Sequence, residues 1–244
     1  MLEGLEADLH VHTCLSPCAD LKMSAVAIVR QALAIGVDVL GICDHNSAEN
    51  VPAAVAAASG RDVHVLPGME LTSCEEVHVL ALFDDLESVT ALQGVVYENL
   101  PGENDEETFG MQVVVNADDE VLSFNRRLLI GATTLTLQEI VQIIHSLGGL
   151  VIAAHIDRES FSLIGQLGFV PDDLDLDALE ISSALEYDEA MQRYEPRLPL
   201  IQSSDAHKVE DIGRCRTRFL IEEPSVDEIR RALMNQGGRR ILRE

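Results

Sequence analysis

LEADLHVHT, residues 5–13, has the apolar–polar alternation of a β-strand and ends in a histidine pair. Side chains repeat every second residue along a strand, so His10 and His12 emerge on one face. Two adjacent neutral imidazoles form a donor pair that a divalent cation can use. On its own, such a pair is as often a satisfied core or surface feature. The rest of the chain breaks that tie.

Outward from this strand, short apolar runs alternate with amphipathic stretches over most of the 244 residues. Strands are expected at 5–12, 37–43, 63–70, 77–83, 150–154, 178–182, 199–202 and 216–221. Helices are expected at 24–34, 48–58, 137–147 and 226–235, each followed by a glycine able to take a left-handed cap: Gly36, Gly60, Gly148 and Gly237. Residues 84–134 break the rhythm with the acidic, turn-rich ENLPGENDEET and then MQVVVNADDEVLSF, two apolar runs around a turn, which is expected to be a hairpin insertion. Length alone allows one barrel or two small domains. The βα alternation favours a parallel sheet with helices around it, open or closed.

The chemistry collects at strand ends. His10 and His12, Asp44 and His45, Glu70, His78, His155, and Asp205 with His207 each fall at or near the C-terminal end of a different apolar run. In a (βα) barrel those ends open on one mouth, where side chains from distant positions meet. Six histidines and three acids so arranged make a metal or catalytic centre the better reading of the histidine pair. Glu70 follows Pro67 and Gly68, and a carboxylate there can bridge two cations. A carbamylated lysine has no candidate as the bridge, because Lys22 and Lys208 are the only lysines and neither lies on an intervening strand. His64, inside a strand, and His145, on an amphipathic helix, are expected to be structural. Arg158, just beyond a strand tip, can offer a planar fork to an anion, a solvated loop arginine being the equal alternative.

Composition narrows the partners. Five cysteines without a C-x-x-C pair suggest reduced thiols rather than a disulfide framework or a zinc ribbon. No run is long enough to span a membrane and no signal-like leader opens the chain, so a cytoplasmic protein with no membrane partner is expected. Seventeen basic against 42 acidic residues give a net charge of −25, which argues against long nucleic acid as a partner. Bound cations would offset part of that charge.

DLHVHT with Ser16, DHN at 44–46, the histidine of AAH at His155 and SSDAH at 203–207 together resemble the polymerase and histidinol phosphatase (PHP) superfamily of metal-dependent phosphoesterases. Glu70 in GMELT and His78 in EVHVLAL match its intervening ligands, and the likeness runs from residue 8 to about residue 213. The resemblance implies an α/β fold, a distorted (βα)7 barrel, here one domain over 1–244 with a hairpin-containing insertion at about 84–134. It also implies two or three divalent ions, of manganese, zinc or iron. By position, His10, His12, Glu70 and Asp205 would hold the first ion, Glu70, His78 and His155 the second, and His45 and His207 part of the third. The family's Ser-Asp-Gly after the histidine pair is replaced here by Ser16, Pro17, Cys18, Ala19 and Asp20. If Pro17 to Ala19 is an insertion, Asp20 takes the family's aspartate place, which is the preferred alignment. Without an insertion, Cys18 falls where other members carry a histidine, and a thiolate would favour zinc.

The expected activity is metal-dependent hydrolysis of a small phosphate ester: a nucleotide, a nucleoside bisphosphate or the end of a short oligonucleotide. An activated hydroxide would attack phosphorus in line. Asp205, His207 and Arg158 are the expected catalytic residues, and Asp44 and Asp8 are expected to orient ligand histidines. The alternatives are a catalytically weak metal-binding PHP accessory module and, less favoured, a metal-dependent amidohydrolase.

Overall fold

The computed structural model describes residues 1–243. In chain order the elements are β1 (Glu3–Val11), α1 (Ala25–Ile35), β2 (Val39–Ile42), α2 (Val51–Ala58), β3 (His64–Thr72), β4 (His78–Leu82), α3 (Leu86–Glu98), α4 (Glu106–Phe109), β5 (Val113–Val115), β6 (Val121–Phe124), α5 (Leu137–Ser146), β7 (Leu150–Ala153), α6 (Leu163–Leu167), β8 (Ala178–Ile181), α7 (Tyr187–Tyr194), β9 (Leu200–Gln202), β10 (Thr217–Ile221), α8 (Val226–Leu233) and β11 (Arg240–Leu242). Local signals set the helix ends. Ser24 caps α1 by accepting from the Ala27 amide and Gly36 closes it in the left-handed region. Thr136 and Glu139 form a reciprocal capping box on α5.

The main sheet has nine strands in the order β11-β10-β1-β2-β3-β4-β7-β8-β9. Strands β1, β2 and β3 are mutually parallel, as are β7, β8 and β9; β4 runs antiparallel to both of its neighbours. The sheet curls so that the segment after β9 returns to β1: the His12 amide donates to Ala206 O at 3.0 Å and the Ala206 amide to His10 O at 3.3 Å. The seven strands β1, β2, β3, β4, β7, β8 and β9 thus form a distorted barrel, stitched at the mouth by this one short contact. At the other end β10 pairs with β1 instead.

The antiparallel β4 departs from the strict (βα) repeat. After β3 reaches the mouth the chain turns through residues 73–77 and descends, so His78 opens its strand rather than ending it. The chemistry still meets at one end, because the start of a descending strand lies beside the tip of an ascending one.

Two apolar layers flank the sheet. The outer layer, including Val65, Val79, Val151 and Leu179, packs under the helices. The inner layer, including Leu9, Leu66, Leu80, Ile152 and Ile201, is closed by Val226, Ile229 and Leu233 of α8. Following the inner face by twos leads from apolar core to polar mouth: Leu66 to Glu70, Leu80 to His78, Ala178 to Glu180, Ile201 to Asp205. On β1 the register against β2 shifts between Asp8 and Val11. Leu9 belongs to the inner layer and Val11 to the outer, so this bulge moves the inward face from odd to even positions and turns His10 and His12 into the mouth. The tight approach of β1 and β2 requires glycine at Gly41, where a Cβ would lie 2.2 Å from Leu9 O.

Within 84–134, α3 was not anticipated. It packs Val89, Leu92 and Val96 into the outer core as an ordinary barrel helix. The hairpin is present as β5 and β6, a separate two-stranded sheet. Asn50 fastens it: its Nδ2 donates to Val113 O at 3.0 Å and to Thr13 Oγ1 at 2.9 Å, and its Oδ1 accepts from the Val115 amide at 2.9 Å. Among the described residues no helix is long and apolar enough to cross a membrane.

Candidate metal centre

The barrel mouth gathers His10 and His12 from the tip of β1, His45 after β2, Glu70 from β3, His78 from β4, His155 after β7, and Asp205 and His207 after β9. Four non-glycine residues here have left-handed backbone: Asn46 (φ 48°), His155 (φ 30°), Phe161 (φ 57°) and Asp205 (φ 50°). Such conformations cost about 1 kcal/mol or more each, and cluster at sites where surrounding structure enforces them. Asn46 is held by donating to Leu129 O and Gly131 O, both at 2.8 Å, while accepting from the Thr72 amide.

Hydrogen bonds on one side of each ring dictate what the other side offers. Ser16 Oγ donates to Asp44 Oδ1 at 2.6 Å, so towards His12 Nδ1, 2.9 Å away, it is an acceptor. Glu180 Oε2 accepts from His10 Nδ1 at 3.0 Å, and Asp205 O from His207 Nδ1 at 2.8 Å. In its neutral form each of these three rings carries its hydrogen on Nδ1 and presents a bare Nε2. The Nε2 atoms of His10 and His12 face each other at 3.1 Å, within 3.3 and 3.0 Å of Asp205 Oδ1. Lone pairs crowded together in this way call for a cation.

Glu70 is the hub. Oε1 lies 2.8 Å from His78 Nδ1 and 3.1 Å from His155 Nε2, and Oε2 lies 2.9 Å from His45 Nδ1. Despite these separations, Glu70 Oε2, His45 Nδ1, His78 Nδ1 and Asp205 Oδ1 have no hydrogen-bond partner among the described residues. Buried donors and acceptors are otherwise nearly always paired, and this cluster of orphans fits divalent ions. The acceptor triples His10, His12, Asp205 and His45, Glu70, His78 each fall within 4.8 Å, as does His12, His45, His207.

Without an ion, protons do part of the ion's work. Burial would lower His10, but the carboxylates of Glu180, Asp205 and Glu70 outweigh it and raise its pKa well above the usual value. Burial also works against the Glu70 carboxylate, yet His78, His10 and His45 hold it well below the normal range. His12 is pushed well down by burial, then by His207 and His45. Cations and protons therefore compete for the same donors.

The supporting residues are partly those expected. Asp44 acts on His12 through Ser16, and also accepts from the Thr13 amide and hydroxyl at 2.7 and 2.6 Å. Asp8 makes no hydrogen bond to the first pair; it anchors the Asp205 loop, accepting from the Ser204 amide, the Ser204 hydroxyl and the Gly213 amide. The direct partner of His10 is Glu180, which the sequence reading missed. Its signal was an acid two residues from Ala178 on the inward face of an apolar strand. Glu180→Gln is expected to weaken metal retention and activity by roughly 10- to 100-fold, as for other carboxylates that orient ligand histidines. Dialysis against graded chelator followed by metal analysis checks this.

Asp20 is not brought into the cluster. Its side chain is exposed and accepts from the Lys22 amide, because the turn through Ser16 and Ala19 directs the chain outward. Cys18 enters instead, with Sγ 3.3 Å from His45 Nε2 and 3.1 Å from His207 Nε2. These two contacts outweigh burial and lower its pKa to about 6. Arg158 lies at the rim, 45% exposed, with Nη2 2.6 Å from Asp205 Oδ2. His64 is exposed at the start of β3, and His145 on α5 faces Asp177 at 3.1 Å; neither approaches the mouth.

Residues 8–170, more than half of the chain, match the family described as the PHP domain, and residues 194–236 match that described as PHP-associated. The chain belongs to the PHP family. With the family come the enzyme class, metal-dependent phosphoesterase, and divalent metal as cofactor. No curated protein matches the chain. Among solved structures, this PHP chain is similar to the lesion-specific endonuclease PfuEndoQ from Pyrococcus furiosus, at 22% identity and TM-score 0.74, over 98% of this chain and 58% of the other. It is similar to an Endonuclease Q complex with a 27-mer duplex bearing an abasic lesion, at 21% identity and TM-score 0.73 over the same shares. It also resembles a putative metal-dependent phosphoesterase from Bifidobacterium adolescentis, at 18% identity and TM-score 0.55, over 82% of this chain and 87% of that one. The PHP chain thus spans a little over half the length of the endonuclease structures. At these identities the likenesses carry the fold.

Proposed function

We propose that the protein hydrolyses phosphate esters of nucleotides, nucleoside bisphosphates or short oligonucleotide ends. One observation carries this reading: a cleft of about 170 Å³ joins the donor cluster to solvent, with Arg158 and Phe161 among its lining residues. That volume suits a phosphoryl group while the rest of the substrate stays outside. Divalent ions held by His10, His12, Glu70, Asp205, His78 and His155 would supply Lewis acidity to phosphoryl oxygens and lower the pKa of water. The chain's own residues do the remaining work. Glu70 and Asp205 fix the separation of the donors, and Arg158 would offer its free guanidinium edge to a non-reacting oxygen. His207, half-buried at the rim, would face the leaving oxygen. Phe161, stacked on His78 at 4.9 Å between ring centroids, would give a base or sugar an apolar rest. A reducing, cytoplasmic setting fits the five free cysteines.

The exclusion of long nucleic acid, drawn from the charge of −25, is not upheld, since a chain of the same fold is seen with a duplex substrate. A lesion-bearing duplex is therefore the second reading. Purified protein with manganese, assayed on mononucleotides, bisphosphates, short oligonucleotides and a duplex with an abasic site, separates the two. Phosphate release above a His12→Ala control supports the first reading, and nicking of the duplex alone replaces it with the second. No turnover above the control on any substrate leaves the accessory-module reading. Arg158→Ala is expected to lower kcat/KM roughly 10- to 100-fold, the loss of one charge-assisted contact of about 1.5–3 kcal/mol, with Arg158→Lys restoring part of it.

A further inference from the structure

The outer edge of the centre differs in chemistry from its interior. Inner donors are imidazoles and carboxylates, whereas the group nearest solvent combines Cys18 Sγ with His45 Nε2 at 3.3 Å and His207 Nε2 at 3.1 Å. Three imidazoles converge here independently of the sulfur, since nitrogens of His12, His45 and His207 lie within 4.8 Å of one another. The Nδ1 hydrogen of His207 is committed to Asp205 O, so its lone pair faces the sulfur. Sγ has no other hydrogen-bond partner than these two rings among the described residues.

The loop is built to hold the sulfur there. The Ser16 amide donates to Thr13 O and the Ala19 amide to Ser16 O, a double turn around Pro17 and Cys18. The Asp20 amide donates to His207 O at 2.9 Å, tying the Cys18 loop to the loop of its partner histidine. Gly110 lies against Pro17 so closely that a Cβ would sit 2.6 Å from its carbonyl oxygen.

We infer that Cys18 is a metal ligand, and that Cys18, His45 and His207 form a sulfur–nitrogen site selecting a soft ion, zinc, beside inner positions that accept harder ions. Thiolate and imidazole donors suit zinc, while carboxylate-rich sets suit manganese or magnesium. One chain then holds two kinds of ion, divided by donor class. This deepens the metal-centre reading and does not require that the substrate assignment be right.

Cobalt(II), a spectroscopic stand-in for zinc, tests it without turnover. Titrated into chelator-treated protein carrying Cys74→Ser and Cys215→Ser, it should give a thiolate-to-cobalt charge-transfer band in the near ultraviolet. The band should vanish on adding Cys18→Ser, and bound zinc should fall by one equivalent. Cys18→Asp should keep the ion without the band and shift preference from zinc toward manganese by roughly tenfold or more. Alkylation of Cys18 by iodoacetamide should be slowed by zinc and not by magnesium. A band that survives Cys18→Ser, or inner sites that fill with no band in the parent protein, overturns the inference. Loss of phosphatase activity with the band intact would bear on the substrate reading alone.

Discussion

Glu70→Gln is expected to lower kcat/KM for the best phosphate ester by roughly 10³-fold or more, about 4 kcal/mol of transition-state stabilisation, and to remove at least one bound ion. The amide keeps the shape of the side chain but loses its charge and turns one oxygen into a donor group. Both carboxylate oxygens face imidazole nitrogens, at 2.8 and 3.1 Å from Oε1 and 2.9 Å from Oε2, so either orientation of the amide puts an N–H where the cluster now has a carboxylate lone pair. Steady-state kinetics and metal analysis after gel filtration check both parts; full activity with full metal content would exclude Glu70 as the bridge. Acid stability carries a second signature. The Glu70 carboxyl is held well below the usual range by His78, His10 and His45 against the effect of burial. The stabilisation by its charge is thus present above the ordinary carboxylate range and is lost as pH falls through the depressed value. Chelator-treated Glu70→Gln should therefore lose less stability on acidification than the parent protein.

Asn50→Ala is expected to destabilise the fold by about 2–5 kcal/mol. It would strip partners from Val113 O and the Val115 amide, both on a buried strand, and from Thr13 beside the histidine pair. Apolar packing cannot substitute, because the lost groups belong to the backbone of β5. Urea unfolding at unchanged slope measures the effect. A change within about 0.5 kcal/mol, the usual range for surface positions, would mean that the hairpin is not fastened through Asn50.

Much of this centre was legible because barrels convert strand ends into neighbours. The eight expected strands each coincide with an observed one to within about two residues, and His10, His12, His45, Glu70, His78, His155, Asp205 and His207 meet at one mouth. Other features left weaker traces. An apolar run such as VHVLAL has no direction, so the descent of β4 depended on a hairpin that its short polar link only permits. Helix α3 mixes β-branched residues and Gly94 into its span, which blunts local propensity; α6 and α7 are only five and eight residues long. Which of Cys18 and Asp20 faces the imidazoles turned on the path of a short loop around Pro17, tied by Asp20 N to His207 O. Glu180 was hidden by a single fact: without knowing that the inner face becomes polar near the mouth, an acid inside an apolar strand has no evident partner.

The seam between His12 and Ala206 has a mechanical consequence. Asp8 and Ser204, which flank it, are 196 positions apart, and His10 and His12 lie on one side of it with Asp205 and His207 on the other. An ion held from both sides of that line would act as a removable cross-link between two distant stretches of the chain. Closing so long a loop carries a large entropic cost that a ligand specific to the closed form offsets through its binding free energy. Loading with metal should thus slow amide exchange at His12 and Ala206 more than at β6, whose strand pairing lies outside the clasp. Catalytic competence and closure of the barrel would then rise and fall together.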